Sequence, residues 1–236
     1  MAKTPDVIQI DYFSDLLCVW AYIAQIRVDE LLNKYAAKVN INYHFMPVFG
    51  CIDKRIGEGW KDKGGFEGYS KHVLEVSKDF EHIEVHPQIW LENVPMSSAS
   101  CHHFLSSIKL LEMKGMVSGE RQDAYGGKTR FEEIMWRMRL AFFKELKDVG
   151  ELEVQIEIAE HLDLPVQSII DTMESGEAMA RMCCDHELKD QYKIEGSPTY
   201  ILNNGRQKLY GNVGYKIIDA NIHEILNRKE DQLSWC

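Results

Sequence analysis

Cys18 is the residue of this 236-residue chain whose position best suits nucleophilic chemistry. It follows the polar break Ser14-Asp15 and opens a stretch in which apolar residues recur at helical spacing. A cysteine at a helix N-terminus lies near unsatisfied backbone N–H groups and the positive end of the helix dipole. Both favour the thiolate, so we expect the pKa of Cys18 to lie below the usual ~8.5. A thiolate attacks disulfides and electrophiles. The alternative is a small buried hydrophobe, the common fate of a free cysteine.

A second candidate site is the loop Gly196-Ser197-Pro198-Thr199, which leads into a strand-like run. A cis bond before Pro198 would turn the backbone so that Ser197 presents its N–H and C=O groups to an extended partner. Only about 5–6% of X–Pro bonds in folded proteins are cis. A trans proline that starts an edge strand is therefore the ordinary interpretation of this loop.

The elements around these two sites predict a small sheet that is interrupted by helices. Three elements come first: a strand at Val7–Phe13, a helix from Cys18 to about Tyr35, and a strand from Asn40 to Phe49 that ends near Pro47. Three more come near the end of the chain: strands at Thr199–Leu202 and Gln207–Tyr210, and a helix at about Tyr215–Asn227. The first three form a βαβ unit, which we expect to be parallel and right-handed. The turn Asn203-Asn204-Gly205 predicts a hairpin between the last two strands.

The middle of the chain is mainly helical. A glycine-containing connection follows Gly50, and the helices with the clearest pattern are Phe131–Leu146, Leu152–Leu162, Pro165–Met173 and a segment from Ser175 to about Tyr192. Pro165 suits a first helical turn. The order is therefore βαβ, a helical block, then ββα, with the block inserted between two halves of one sheet.

Two motifs of this sequence resemble the DsbA family. The stretch Asp11–Ala24 (DYFSDLLCVWAYIA) resembles its cytoplasmic FrnE-type members, in which a strand and a polar turn precede Cys-Pro-Trp-Cys at the start of the first helix. Gly196-Ser-Pro-Thr-Tyr200 resembles the family's Val-Pro-Thr loop, and the stretch from Leu140 to Glu177 looks like its helical insertion. The resemblance spans nearly the whole chain and is weakest at the ends and over residues 50–128.

The resemblance implies an α/β, thioredoxin-like fold with a large all-helical insertion between the βαβ and ββα halves. Residues 1–50 and 195–236 would form the thioredoxin-like domain, and residues 51–194 the inserted helical domain. It also implies a cis bond before Pro198. Cys18 would be catalytic, and the residues expected to contact the substrate are Val19, Trp20, Tyr22, Ser197, Pro198 and Thr199.

Ala21 departs from the family pattern, because redox members carry their resolving cysteine there. The second thiol of a Cys-x-x-Cys site attacks the mixed disulfide and releases the substrate, which alanine cannot do. Unless Cys51, Cys101 or Cys236 approaches in space, Cys18 must be resolved by an external thiol, glutathione among them. Alternatively, the protein reduces or isomerises disulfides without net oxidation. A further alternative is that Ala21 replaces a natural cysteine.

Two rival functions remain open. One is a glutathione-dependent transferase or isomerase, of the kappa-class or 2-hydroxychromene-2-carboxylate isomerase type. That branch usually has serine at the nucleophile position, and its glutathione anchors are altered here, to Gly211-Asn212-Val213-Gly214 and Pro95-Met96-Ser97-Ser98. The other is a thioredoxin-fold protein kept for binding, without catalysis. We expect no required cofactor, with glutathione as a co-substrate in the first case, and a protein or small-molecule thiol or disulfide as partner.

Composition and charge limit the partners further. A net charge of −10 without a block of Lys and Arg argues against nucleic acid and anionic membranes. No metal site is expected, since Cys183 and His186 lie three residues apart but lack a second pair of ligands. The sequence shows neither a signal-peptide pattern nor a long apolar run, which predicts a cytoplasmic protein. The oligomeric state stays open, with a homodimer among the options.

Overall fold

The structure is a computed structural model that describes residues 7–35 and 38–227. Its four strands are β1 (Ile8–Ser14), β2 (Val39–Phe45), β3 (Thr199–Leu202) and β4 (Gln207–Tyr210). They form one sheet in the order β2-β1-β3-β4, so the two halves of the chain meet where β1 pairs with β3. Strand β4 lies at the outer edge of this sheet, and its side chains alternate between partly buried and exposed, as expected for a strand with one solvent-facing side.

The first half of the sheet is the predicted βαβ unit. Helix α1 (Val19–Tyr35) connects β1 to β2, and the two strands pair in parallel. The predicted strand was too long at its end, because β2 stops at Phe45 rather than Phe49. Pro47 explains the early end, since proline has no N–H group to donate to a ladder.

The second half of the sheet is the predicted hairpin. Strands β3 and β4 pair in antiparallel fashion around the turn at Asn203-Asn204-Gly205. All three turn residues have positive φ, from 50° to 90°, which asparagine and glycine adopt at low cost. Helix α8 (Tyr215–Asn227) then closes the chain's described part, as expected.

Six helices lie between β2 and β3, after a π-helical turn at Asp53–Glu58. They are α2 (Gly65–Ser77), α3 (Ser98–Met113), α4 (Arg130–Phe143), α5 (Leu152–Glu160), α6 (Val166–Glu174) and α7 (Glu177–Gln191). The predicted mainly helical block is therefore confirmed. Helix α4 ends at Phe143, three residues before its predicted end, and Pro165 precedes α6 instead of lying in its first turn.

One hydrophobic core runs through the sheet and the inserted helices. The ring of Tyr43 on β2 packs against Phe131 on α4 with 5.6 Å between centroids, and Tyr22 on α1 stacks on Phe143 at 4.7 Å. These contacts fix helix α4 of the insertion against β2 and against the helix that follows Cys18. The division into a domain of residues 1–50 and 195–236 and an inserted domain of residues 51–194 stays a prediction. Within residues 7–35 and 38–227, no helix is long and apolar enough to span a membrane.

Candidate active site

The sheet brings the two sequence motifs together at the same end of its central strands. Phe13, near the end of β1, pairs with Thr199 at the start of β3. The turn after β1 therefore lies beside the loop before β3, although the two are far apart along the chain. Cys18 follows the first segment and Ser197 belongs to the second, so the pairing predicts a contact between them.

Cys18 directly precedes α1 and faces this loop. Its carbonyl oxygen accepts hydrogen bonds from the N–H groups of Ala21 and Tyr22, both at 3.0 Å, which form the first turn of the helix. Its thiol donates a hydrogen bond to the carbonyl oxygen of Ser197, with 3.3 Å between Sγ and O. The side chain is nearly enclosed, with 7% of Cys18 exposed. Cys18 is therefore held as a nearly buried thiol donor.

Burial raises the pKa of Cys18 above its ordinary value, and the nearby negative charge of Asp15 acts in the same direction. The side-chain hydroxyl of Ser197 and the backbone N–H groups of Ala21 and Trp20 lower the pKa, but by less. The expectation of a lowered pKa was therefore wrong for this conformation. The helix N-terminus does favour the thiolate, but the loss of water around the sulfur outweighs that effect.

The loop opposite Cys18 has the expected backbone. The Ser197–Pro198 peptide bond is cis. The hydroxyl of Ser197 accepts a hydrogen bond from the backbone N–H of Asp15 at 2.9 Å, and the hydroxyl of Thr199 donates to the carbonyl oxygen of Gly196 at 2.7 Å. These bonds fix the Ser197 carbonyl group toward the sulfur.

Asp15 is the residue that connects the most segments around the site. Its side chain is 0% exposed, and Oδ1 accepts a hydrogen bond from the N–H of Leu17 at 2.8 Å. Oδ2 accepts from the N–H of Phe49 at 2.9 Å and from the hydroxyl of Ser98 at 2.7 Å. With its own N–H bonded to Ser197, Asp15 holds together the turn before α1, the segment after β2, the start of α3 and the loop before β3. The carbonyl oxygen of Asp15 also accepts a hydrogen bond from the N–H of Cys18 at 3.2 Å, so this residue forms the turn before α1, and its charge raises the pKa of the sulfur.

His102 on α3 completes this buried polar group. Its Nε2 accepts a hydrogen bond from the N–H of Leu16 at 3.1 Å, so the neutral ring carries its proton on Nδ1. Burial lowers the pKa of His102, which keeps the ring neutral, although Nε2 lies 3.7 Å from Oδ1 of Asp15. His102 therefore does not neutralise the carboxylate of Asp15. Local sequence pattern does not predict this contact, because Ser98 and His102 meet Asp15 only through the tertiary fold.

The other side chains of the predicted motif differ in accessibility. Trp20 is partly buried and packs edge-on against Phe80, with 6.4 Å between centroids. Val19, Ala21 and Tyr22 are buried. Tyr22 packs between helices of the core, and its hydroxyl donates to the carbonyl oxygen of Glu84 at 3.2 Å. Substrate contact by Val19 and Tyr22 stays a prediction that their burial disfavours, whereas Trp20 remains accessible.

The five cysteines of the described residues are free. Cys101 is buried on α3, where its thiol donates to the carbonyl oxygen of Val149 at 3.1 Å. Cys51 is exposed after the Phe49 segment, and Cys183 and Cys184 are exposed on α7. Cys236, the remaining predicted partner, lies outside the described residues.

Comparisons with known proteins agree with this geometry. Residues 9–222 match the family described as the DSBA-like thioredoxin domain. A probable DsbA oxidoreductase from Streptomyces coelicolor is 14% identical, with a TM-score of 0.66 and coverage of 96% of this chain and 94% of that one. The cytosolic disulfide reductase DsbM from Pseudomonas aeruginosa with GSH is 16% identical, with a TM-score of 0.62 and coverage of 91% and 99%.

A 2-hydroxychromene-2-carboxylate isomerase is also similar, at 16% identity, a TM-score of 0.57 and coverage of 92% of this chain and 95% of that one. At such identities, the three structures show a shared fold and nothing finer. No curated protein sequence has significant similarity to this chain. The predicted thioredoxin-like fold is confirmed.

Proposed function

The chain belongs to the DSBA-like thioredoxin domain family, and from this membership we propose that it is a thiol–disulfide oxidoreductase that acts through Cys18 alone. The observation that carries the proposal is the 3.3 Å contact between the Cys18 sulfur and the carbonyl oxygen of Ser197, beside a cis-proline. Ala21, one helical turn further on, supplies no second sulfur. A disulfide that reaches Cys18 meets one nucleophile and one backbone acceptor.

The proposed reaction is a series of thiol–disulfide exchanges. Cys18 first loses its proton to water, and its thiolate attacks one sulfur of a substrate disulfide. The new bond joins Cys18 to that sulfur, the substrate S–S bond breaks, and the second substrate sulfur leaves as a thiolate that takes a proton from water. An external thiolate then attacks the substrate sulfur of the mixed disulfide, forms a bond to it and releases Cys18 as a thiolate that takes up a proton. A second external thiolate attacks the external sulfur of this new disulfide, which forms the external disulfide and releases the first substrate sulfur as a thiol. The substrate thus gains two electrons and the two external thiols lose two.

The contact with Ser197 suits the first step. In the resting state the Cys18 thiol donates to this carbonyl group, and its raised pKa keeps the sulfur protonated. A substrate that donates its own N–H group to the same carbonyl would replace the thiol as donor and free the sulfur to ionise. The N–H groups of Ala21 and Trp20, which lower the pKa of Cys18, would then stabilise the thiolate.

Glutathione is the external thiol that we propose. The similarity to DsbM with GSH supports this choice, as does the absence of a paired thiol among the cysteines of residues 7–35 and 38–227. We also propose a cytoplasmic location, supported by the cytosolic description of DsbM and by free thiols, which a reducing compartment preserves. The substrate is a protein or small-molecule disulfide.

Steady-state reduction of a small disulfide by glutathione tests the proposal. Replacing the nucleophile (Cys18→Ser) should abolish the protein-dependent rate, whereas Cys51→Ser, at an exposed thiol, should retain it. Intact mass measured during turnover should show glutathione or substrate on Cys18. A rate that survives Cys18→Ser would disprove the proposed function.

The glutathione-dependent isomerase is the second candidate, and the fold similarity to 2-hydroxychromene-2-carboxylate isomerase favours it. Such an enzyme would bind reduced glutathione without forming a disulfide to it. Saturable calorimetric binding of glutathione to Cys18→Ser, together with no disulfide reduction by the unchanged protein, would support this candidate. A protein kept for binding alone would keep its partner after Cys18→Ser and catalyse neither reaction.

A further inference from the structure

Tyr210 is the last residue of β4 and lies at the same end of the sheet as Cys18 and Ser197. In the antiparallel ladder Tyr210 pairs with Thr199, and Thr199 pairs with Phe13 of β1. Directly paired residues project to the same face of a sheet. The Tyr210 side chain therefore stands beside the loop that faces the nucleophile.

The ring of Tyr210 lies directly against the backbone of Gly196. A Cβ atom added to Gly196 would be 2.7 Å from the Tyr210 hydroxyl oxygen and 2.9 Å from its Cε2 atom, so only glycine leaves room for the ring. The N–H of Gly211 donates to the carbonyl oxygen of Pro198 at 2.8 Å, which ties the end of β4 to the same loop. The ring therefore packs on the backbone of the loop that contacts Cys18, and the end of β4 is hydrogen-bonded to that loop.

Tyr210 is nevertheless open to solvent, with 54% of the residue exposed. Consecutive Cα atoms are about 3.8 Å apart, and Gly196 directly precedes Ser197, whose carbonyl oxygen is 3.3 Å from the Cys18 sulfur. The Tyr210 ring therefore packs on the residue next to the one that contacts the sulfur, where the side chain beside a bound cysteine can reach it. An exposed aromatic ring in this place offers a contact that the reaction at the sulfur does not itself require.

We infer that Tyr210 determines specificity by binding an aromatic side chain adjacent to the reacting cysteine of a peptide disulfide. The inference rests on the proposed function, because exchange at Cys18 places the peptide beside the ring. Offset or edge-on contact between two aromatic rings supplies a preference of about 2- to 12-fold over a peptide without a ring. The ring of Tyr210 supplies this contact, and its hydroxyl is dispensable.

The test compares two symmetric peptide disulfides, acetyl-Phe-Cys-Gly-amide and acetyl-Gly-Cys-Gly-amide, each reduced by glutathione. The measured quantity is the ratio of the two kcat/KM values. The ratio should favour the Phe peptide for the unchanged protein and for Tyr210→Phe, and fall to near unity for Tyr210→Ala. Gly196→Ala should lower it too, because the added methyl group displaces the ring. Ile217→Ala, at another exposed apolar side chain with 54% exposure, is the matched control and should keep the ratio.

A second measurement separates this inference from the proposed function. The non-reacting peptide acetyl-Phe-Ser-Gly-amide should slow alkylation of Cys18 by iodoacetamide more than its Gly counterpart does. This protection should be lost in Tyr210→Ala and kept in Tyr210→Phe. Absence of turnover with intact, Tyr210-dependent protection would overturn the proposed reaction and leave the binding role of Tyr210 standing. The role of Tyr210 would be overturned if the unchanged protein and Tyr210→Ala preferred the Phe peptide equally, in turnover or in protection. It would also be overturned if the unchanged protein showed no preference.

Discussion

The thiol of Cys18 donates a hydrogen bond to the carbonyl oxygen of Ser197, a residue 179 positions later in the chain. The contact depends on the pairing of β1 with β3, which brings the turn after one strand against the loop before the other. It also depends on the bond between the Asp15 N–H and the Ser197 hydroxyl, which fixes the loop. Residues from both halves of the sheet therefore determine the environment of the Cys18 sulfur.

The first prediction concerns the ionisation of Cys18. Because burial raises the pKa of this thiol, the midpoint of its rate of alkylation by iodoacetamide against pH should lie above pH ~8.5, where a free cysteine is half ionised. Cys18→Ser provides the background from the exposed cysteines. A midpoint below that of free cysteine would contradict the prediction and would indicate that the site opens in solution.

The second prediction concerns Asp15. Its negative charge raises the pKa of Cys18, so Asp15→Asn should lower that pKa. The same change should reduce the free energy of unfolding by about 1–3 kcal/mol, because the asparagine amide cannot accept hydrogen bonds from Leu17, Phe49 and Ser98 together. The pH dependence of alkylation and urea unfolding measure the two effects.

Asp62→Asn, at an exposed aspartate, is the matched control and should change neither quantity. A higher or unchanged Cys18 pKa in a folded Asp15→Asn protein would show that Asp15 acts only through structure.

Local sequence pattern predicted the elements that position the site, and tertiary contacts decided its chemistry. The strand before Cys18, the helix after it and the hairpin at Asn203-Asn204-Gly205 follow from periodicity and turn preference, which operate over a few residues. The pKa of Cys18 does not, because it depends on how completely the inserted helices exclude water.

Residues that act through distant contacts also escaped prediction. Nothing in the sequence near His102 indicated that its ring would accept a hydrogen bond from Leu16 in the turn before α1. Tyr210 showed only the alternation of an edge strand, and nothing local indicated that its ring would cover Gly196. Such pairs are separated by a length of chain that no periodicity spans.

The third prediction concerns His44 on β2. Its Nδ1 lies 2.7 Å from Oδ1 of Asp185 on α7, and its Nε2 lies 3.0 Å from Oδ1 of Asp11 on β1. Burial lowers the pKa of His44, but the hydrogen bonds and charges of Asp11 and Asp185 raise it by more, so that the net pKa is above the usual ~6.5. The Nε atom of Arg181 lies 3.4 Å from the same Oδ1 of Asp185, and Asn42 donates to Asp11. The protonated ring therefore ties α7 to the sheet.

The sign of the pH effect follows from this raised pKa. The folded protein binds the proton more tightly than the unfolded chain, so His44 contributes its full stabilisation below pH ~6.5 and loses it as pH rises through the folded pKa. Urea unfolding at increasing pH should show the unchanged protein losing stability relative to His44→Gln. His223→Gln, at an exposed histidine, should keep the pH dependence of the unchanged protein. Parallel pH profiles for the unchanged protein and His44→Gln would count against the role of His44.

The last prediction restores the missing sulfur. Ala21 is three residues after Cys18 at the start of α1, a spacing that brings two side chains to the same face of a helix with about 5–6 Å between Cβ atoms. A disulfide needs about 3.5–4.5 Å, so a small shift in the first turn suffices to join the two sulfurs. Ala21→Cys should therefore resolve a mixed disulfide on Cys18 without an external thiol.

Intact mass after treatment with oxidised glutathione distinguishes the two outcomes, in a background in which Cys51, Cys183, Cys184 and Cys236 are replaced by serine. The background protein should carry a single glutathionyl group on Cys18, whereas the same protein with Ala21→Cys should carry none and lose a pair of hydrogens. Ala24→Cys, another buried position of α1, is the matched control and should keep the glutathionyl group, because its side chain lies nearly two helical turns from Cys18. A stable glutathionyl adduct on the Ala21→Cys protein would mean that the sulfur at position 21 cannot reach Cys18. Alanine would then not be what limits this site to one thiol.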